Sequence, residues 1–91
     1  MNIKWKKLFD WSVMSVAEPA PVMNKHGALT GYALEVQYAH HGKRTFFFDI
    51  DGDFWYSQYG SPLDAARSFY NKYSAQAAEY RKRSMQQVKA K

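Results

Sequence analysis

Three aspartates at alternate positions are the first residues whose spacing suggests chemistry. Asp49, Asp51 and Asp53 resemble the alternating oxygen ligands of a calcium-binding loop. Such a loop also needs glycine at its sixth position and a bidentate glutamate at its twelfth. Counted from Asp49, Gly52 is only the fourth residue, and the twelfth is Gly60. The pattern therefore predicts a tight, charged turn and no metal site.

Histidine and serine chemistry has little support. The only histidines are His26, His40 and His41, and adjacent side chains point in different directions on an extended chain. Because the chain has no cysteine, a zinc site would need to gather histidines and an acid from distant segments. The serines are scattered and form no Ser-His-Asp or lysine-based arrangement. We therefore expect no catalytic residues, no cofactor and no enzymatic activity.

Aromatic side chains offer a different chemistry, which is binding. The chain contains 7 Tyr, 6 Phe and 3 Trp, a load that can fill a small core with few side chains. Aromatic residues left on a sheet surface stack on bases or fill pockets of a protein partner. The predicted partner-binding patch consists of Phe47, Phe54, Trp55 and Tyr56.

Positive charge is concentrated at the two ends of the chain. The formal net charge is +5, yet the acids outnumber the bases between residues 10 and 80. The predicted basic contacts are Lys4, Lys6, Lys7, Lys43, Arg44, Arg81, Lys82 and Arg83. A nucleic-acid-binding protein needs such residues on one face of the fold, and the sequence leaves open whether the two ends meet.

The elements that must position these residues are clearest after residue 31. Alternating apolar residues predict strands over residues 32–38 and 45–50. A three-residue connection with Gly42 in the left-handed conformation pairs even-numbered residues with even-numbered ones. In that register the apolar residues of both strands share one face, whereas a two-residue connection sends one set to solvent.

A third strand is predicted after the Asp-Gly-Asp turn, in one of two registers. If the turn has two residues, Trp55 and Tyr59 join the core face. If it has three, Phe54 and Tyr56 face inward instead. Either register leaves aromatic side chains, Phe47 among them, on the opposite face, where a second element covers them or they form an exposed platform.

Ser61 marks the clearest helix start. Ser61 can cap the free amides, Pro62 fits the first helical position, and Asp64 in the first turn favours the helix dipole. A stripe at spacings of three and four follows and should lie on the sheet. Its members are Ala66, Tyr70, Tyr73, Ala77 and Tyr80. The helix is predicted over residues 61–87, with a basic tail at 88–91.

The N-terminal third is the hardest part to interpret. Residues 4–11 show helical spacing and predict a helix, although residues 11–17 also fit a strand. The prolines within residues 19–21 should end any regular element. A loop over residues 24–31 is predicted after a short strand at 22–23. Charge interrupts the apolar residues near the start, so we expect a cytoplasmic chain without a membrane-spanning segment.

These elements predict a single α+β domain over residues 1–91. Residues 1–31 form an N-terminal segment and loop, and residues 32–59 form a three-stranded antiparallel meander packed by the long C-terminal helix. The favoured function is a small protein-binding adaptor or inhibitor, for example a phage- or plasmid-type antagonist of a larger host complex. The alternative is DNA or RNA binding through the basic ends and the sheet aromatics. A homodimer is compatible with both.

Overall fold

The protein has an α+β fold, as the sequence predicts. In the computed structural model, residues 12–90 are described, and their side chains as far as Arg83. The elements are β1 (Val13–Val16), β2 (Ala20–Met23), β3 (Leu29–Tyr38), β4 (Gly42–Asp49), α1 (Asp53–Tyr59) and α2 (Pro62–Ala90). The strands form one antiparallel sheet packed by α2. The helix predicted over residues 4–11 lies outside the described residues.

All three other strands of the four-stranded sheet pair with β3, which lies at its centre. β4 pairs with one side of β3, while β1 and β2 pair with the other. Residues 17–19 separate β1 from β2, which confirms a break at the first proline. The expectation that both prolines end regular structure is wrong for Pro21, which lies within β2 opposite Tyr32. Proline is tolerated there because β2 is an edge strand.

The hairpin between β3 and β4 has the predicted register. Leu34 lies opposite Phe46 and Tyr32 opposite Phe48, so even-numbered residues face even-numbered ones. Gly42 has a φ of 71°, a left-handed backbone conformation that residues with a Cβ rarely adopt. The strand itself begins earlier than expected, at Leu29, because the loop over 24–31 is shorter. Asn24 closes that loop by accepting the amide protons of the second and fourth residues after it, at 2.8 and 3.0 Å.

The third predicted strand is wrong, because residues 53–59 form the helix α1. The 32–59 meander therefore becomes a hairpin followed by a helix, and the sheet is completed by β1 and β2. The Asp-Gly-Asp segment starts the helix instead of reversing a hairpin. The Asp49 carboxylate accepts the Asp51 amide proton at 2.8 Å, and the Gly52 amide donates to the Asp49 carbonyl at 3.0 Å. Asp53 then occupies the first turn, where an acid favours the dipole.

The long helix begins as predicted. The Asp64 amide donates to the Ser61 hydroxyl oxygen at 3.0 Å, so Ser61 caps the helix. The predicted stripe faces the sheet, with its alanines buried and its tyrosines half-buried. The buried core consists of Val13, Leu34, Val36, Tyr38, Phe48, Ala65, Ala66 and Ala77. The helix continues to Ala90, past the expected end at residue 87 and through the expected tail.

Candidate functional site

Trp55 lies at the centre of a cluster of aromatic rings between α1, α2 and the sheet. Its ring centroid is 4.9 Å from Phe48, on the sheet, and 6.2 Å from Phe69, on α2. On α1 itself, Phe54 lies 5.1 Å away at 77° and Tyr59 lies 6.0 Å away. Edge-to-face contacts of this kind add to the burial of apolar area. Trp55 therefore attaches α1 to the rest of the domain.

The ring cluster continues into the core beneath α2. Phe69 makes edge-to-face contacts with Phe48 at 5.3 Å and with Tyr73 at 6.4 Å. Tyr73 in turn stacks on Phe46 at 6.0 Å with an interplanar angle of 13°. Because each ring packs against others, a side chain at the surface end of this cluster is supported by the core.

Four aromatic side chains near this cluster or on the sheet remain exposed. Phe54 is 59% exposed, Tyr56 49%, Phe47 47% and Tyr59 37%. Phe54 and Tyr59 both contact the Trp55 ring, so these three form one surface. We call Phe54, Trp55 and Tyr59 the α1 aromatic surface.

The structure does not bring the predicted patch together as one surface. Phe54 and Trp55 are in contact, whereas Tyr56 lies about 200° from Phe54 around the helix. The Tyr56 hydroxyl donates to the Ile50 carbonyl at 2.8 Å. Phe47 lies on the sheet face away from α2, since its neighbours in β4 point towards that helix. Tyr59 is not in the predicted patch, and its contact with Trp55 depends on the helical conformation of residues 53–59, which the predicted strand did not include.

Carboxylates lie at both ends of α1. Asp51 and Asp53 are exposed where the helix begins. Asp64 approaches the other end, where its Oδ2 lies 3.3 Å from the position a Cβ on Gly60 would occupy. The last turn of α1 has no basic residue. The α1 aromatic surface therefore has a negatively charged border.

The predicted basic contacts that the structure describes lie at the opposite end of the sheet. Lys43 and Arg44 begin β4, beside the end of β3. Arg83 lines a small cavity with Ser12 and Val13, and β1 starts at that same end of β3. Residues 81–83 and the start of β4 thus share one end of the molecule. Lys4, Lys6 and Lys7 lie outside the described residues.

Most of these basic side chains extend into solvent. Lys43 lies 3.9 Å from Glu35, and Arg83 lies 3.9 Å from Glu79, both as exposed pairs.

The pKa of the buried Tyr38 phenol is raised by its surroundings. Burial and the adjacent, hydrogen-bonded Tyr73 raise this pKa, and they outweigh Arg44, whose positive charge lowers it. The net result is a Tyr38 pKa above its ordinary value.

Comparisons with protein-family models, with curated proteins and with solved structures found no match for this chain. Within residues 12–90, no helix is long and apolar enough to cross a membrane. Over the same part of the chain, no three His, Asp or Glu side chains are grouped to hold a metal ion.

Proposed function

We propose that this domain is a protein-binding adaptor or inhibitor that inserts the α1 aromatic surface into an apolar pocket of its partner. The observation that carries the proposal is the position of Phe54. It is more exposed than any other large apolar side chain of the described residues, yet Trp55 holds its ring edge-on at 5.1 Å.

A supported aromatic ring is a good binding anchor for two reasons. Aromatic residues dominate the energetic centres of protein interfaces, where truncation to alanine costs about 2 kcal/mol or more. A ring already fixed by its neighbours also loses little conformational entropy on binding. Phe54 and Tyr59 are fixed in this way by Trp55, which is itself anchored to Phe48 and Phe69.

The charge around this surface favours a protein partner over a nucleic acid. Asp51, Asp53 and Asp64 border α1 and would repel phosphate. The partner pocket should therefore be apolar at its centre and carry lysine or arginine at its rim, because complementary charges favour the encounter and suppress wrong partners.

The test compares Phe54→Ala with Met23→Ala, a control that removes a side chain of similar exposure, 56%, from β2. Immobilised proteins are exposed to nuclease-treated lysate of the source cells, and a photo-crosslinking phenylalanine analogue at position 54 identifies the direct contact. We expect a protein that crosslinks at position 54 and is retained by the parent chain and Met23→Ala but lost with Phe54→Ala. Identical retention by both variants would reject the proposal.

Nucleic-acid binding is the second candidate, and it is favoured by the convergence of basic residues at one end. Lys43, Arg44 and residues 81–83 lie there, while the acids that border α1 lie at the other end. If this end contacts phosphates, affinity for DNA or RNA oligonucleotides must fall with salt at a slope of about 0.7–0.9 per phosphate neutralised. Replacing residues 81–83 by glutamine should lower that slope, and Lys25→Gln, on the β2–β3 loop, should not. Absence of binding at low salt would end this candidate.

A further inference from the structure

The two edges of the sheet differ in how well they resist pairing with another strand. The edge formed by β1 and β2 is interrupted at residues 17–19, contains Pro21, and has register irregularities in both strands. Such features are the usual protection of an exposed edge. β4 has none of them: Gly42–Asp49 pairs with β3 in an uninterrupted register and contains no proline.

The backbone groups that β4 directs outward can be identified from one hydrogen bond. The Ile50 amide donates to the Thr30 carbonyl at 3.1 Å, so even-numbered residues of β4 direct their amides towards β3. Lys43, Thr45 and Phe47 therefore direct theirs away from the sheet. No strand in the described part of the chain pairs with that side. Asp49 can contribute only part of its backbone to pairing with another strand, because its carbonyl already accepts the Gly52 amide proton at 3.0 Å.

We propose that β4 pairs antiparallel with β4 of a second copy, with the two-fold axis at Thr45. Lys43, Thr45 and Phe47, whose amides point outward, lie symmetrically about Thr45. In this register Thr45 therefore pairs with Thr45 of the second copy, and Lys43 and Phe47 pair with each other. Lys43 then lies opposite Phe47 of the second copy, and its alkyl stem covers a ring that is 47% exposed in the single chain. The two sheets become one continuous antiparallel sheet.

The charges on β4 favour a second copy as the occupant. The strand begins with Lys43 and Arg44 and ends at Asp49, followed by Asp51. In the register centred on Thr45, Asp49 lies diagonally across from Lys43 of the second copy, and opposite charges on neighbouring strands are stabilising. The parallel arrangement in register places Lys43 beside Lys43 instead, which is destabilising.

The long helix leaves most of β4 uncovered. α2 lies mainly over β1 and β3 and only slightly over β4. The pairing does not rest on the proposed function, because the edge amides and the α1 aromatic surface are different parts of the molecule. It can therefore fail or hold independently of partner binding.

Sedimentation equilibrium of the full chain, over a range of concentrations, tests the pairing. Thr45→Pro removes an outward amide and no β3–β4 hydrogen bond, whereas the control Thr45→Val keeps the amide. We expect a dimer for the parent chain and for Thr45→Val, and a dimer at least about tenfold weaker for Thr45→Pro. A monomeric parent chain, or a dimer that Thr45→Pro leaves unchanged, would overturn the proposal.

Amide hydrogen exchange of the unsubstituted chain keeps the test valid if Thr45→Pro does not fold. We expect the amides of Lys43, Thr45 and Phe47 to become protected as concentration rises, in parallel with the dimer population. The amides of Phe46 and Phe48, which face β3, should be protected at every concentration. Protection of the outward amides that is independent of concentration would mean that the chain covers its own edge. That result, or protection only when a different protein is added, would overturn self-pairing.

Discussion

The ring of Phe47 lies on the backbone of Gly31. A Cβ on Gly31 would come within 2.5 Å of the Phe47 Cζ and equally close to the Phe48 carbonyl oxygen. An aromatic ring that crosses a glycine on the neighbouring strand compensates for its missing side chain. Gly31 is buried as a result, although it lies on the sheet face away from α2. Phe47 is thus partly a structural residue, in addition to any binding role.

Gly31→Ala should destabilise the domain by about 1–3 kcal/mol, the usual range for overpacking. The ring can rotate away, but the Phe48 carbonyl belongs to the paired strand and can move only with it. Urea unfolding followed by circular dichroism measures the change. In a Phe47→Ala background the same substitution should cost less, because one of the two clashes is gone. Equal costs in both backgrounds would show that the ring does not contact Gly31.

Ser61→Ala should lower the free energy of unfolding by about 1 kcal/mol, since it removes the hydroxyl oxygen that accepts the Asp64 amide. Ser68→Ala is the matched control: Ser68 is an exposed residue inside the same helix, where alanine is the better helix former. We expect Ser68→Ala to be neutral or slightly stabilising. Thermal unfolding of the two variants gives the comparison, and equal losses would contradict the cap.

The hairpin could be predicted in detail because burial decides its register. If the pairing of the strands shifted by one residue, Leu34 would be exposed and Glu35 buried. The alternation of apolar residues, together with the left-handed Gly42, therefore allows a single register. The start of α2 was predictable for a similar reason. Ser61 and Pro62 act locally, on the first turn of the helix that follows them.

The segment after β4 was not predictable because its spacing fits two structures. Trp55 and Tyr59 are four residues apart, which places them on one side of a strand and also on one face of a helix. The choice between the two depends on tertiary packing of Trp55 against Phe48 and Phe69, which the local sequence does not contain. β1 and β2 were partly predicted, since residues 11–17 fit a strand and a short strand was expected at 22–23. Their bounds were not predictable, because short edge strands have little alternation.

The predicted binding residues were therefore only partly grouped. Phe54 and Trp55 share a surface. The expected grouping of Tyr56 with Phe47 required residues 53–59 to be a strand beside β4, and these residues form a helix. The convergence of the basic residues also needed the structure. It follows from the direction in which α2 crosses the sheet, which brings Arg83 to the Val13 end of β1.

Trp55→Ala should destabilise the domain by about 3 kcal/mol, whereas Phe54→Ala should cost well under half of that. Trp55 contacts both the sheet and α2, but Phe54 is mostly exposed and contacts the Trp55 ring from outside. Guanidinium unfolding monitored by circular dichroism gives both values. Similar costs for the two would mean that Phe54 is part of the core, and its loss would then not be a clean test of binding.

Unfolding at high pH should depend on Tyr38. Burial, followed by the charge and hydrogen bond of Tyr73, raises the pKa of the Tyr38 phenol above 10.0, while Arg44 opposes the change. In the unfolded chain the phenol titrates near 10. The folded state therefore favours the neutral phenol, and this contribution to stability is complete below about pH 10 and is lost as pH rises through the folded pKa. The melting temperature of the parent chain should accordingly fall faster than that of Tyr38→Phe above pH 10, and parallel curves for the two proteins would contradict the raised pKa.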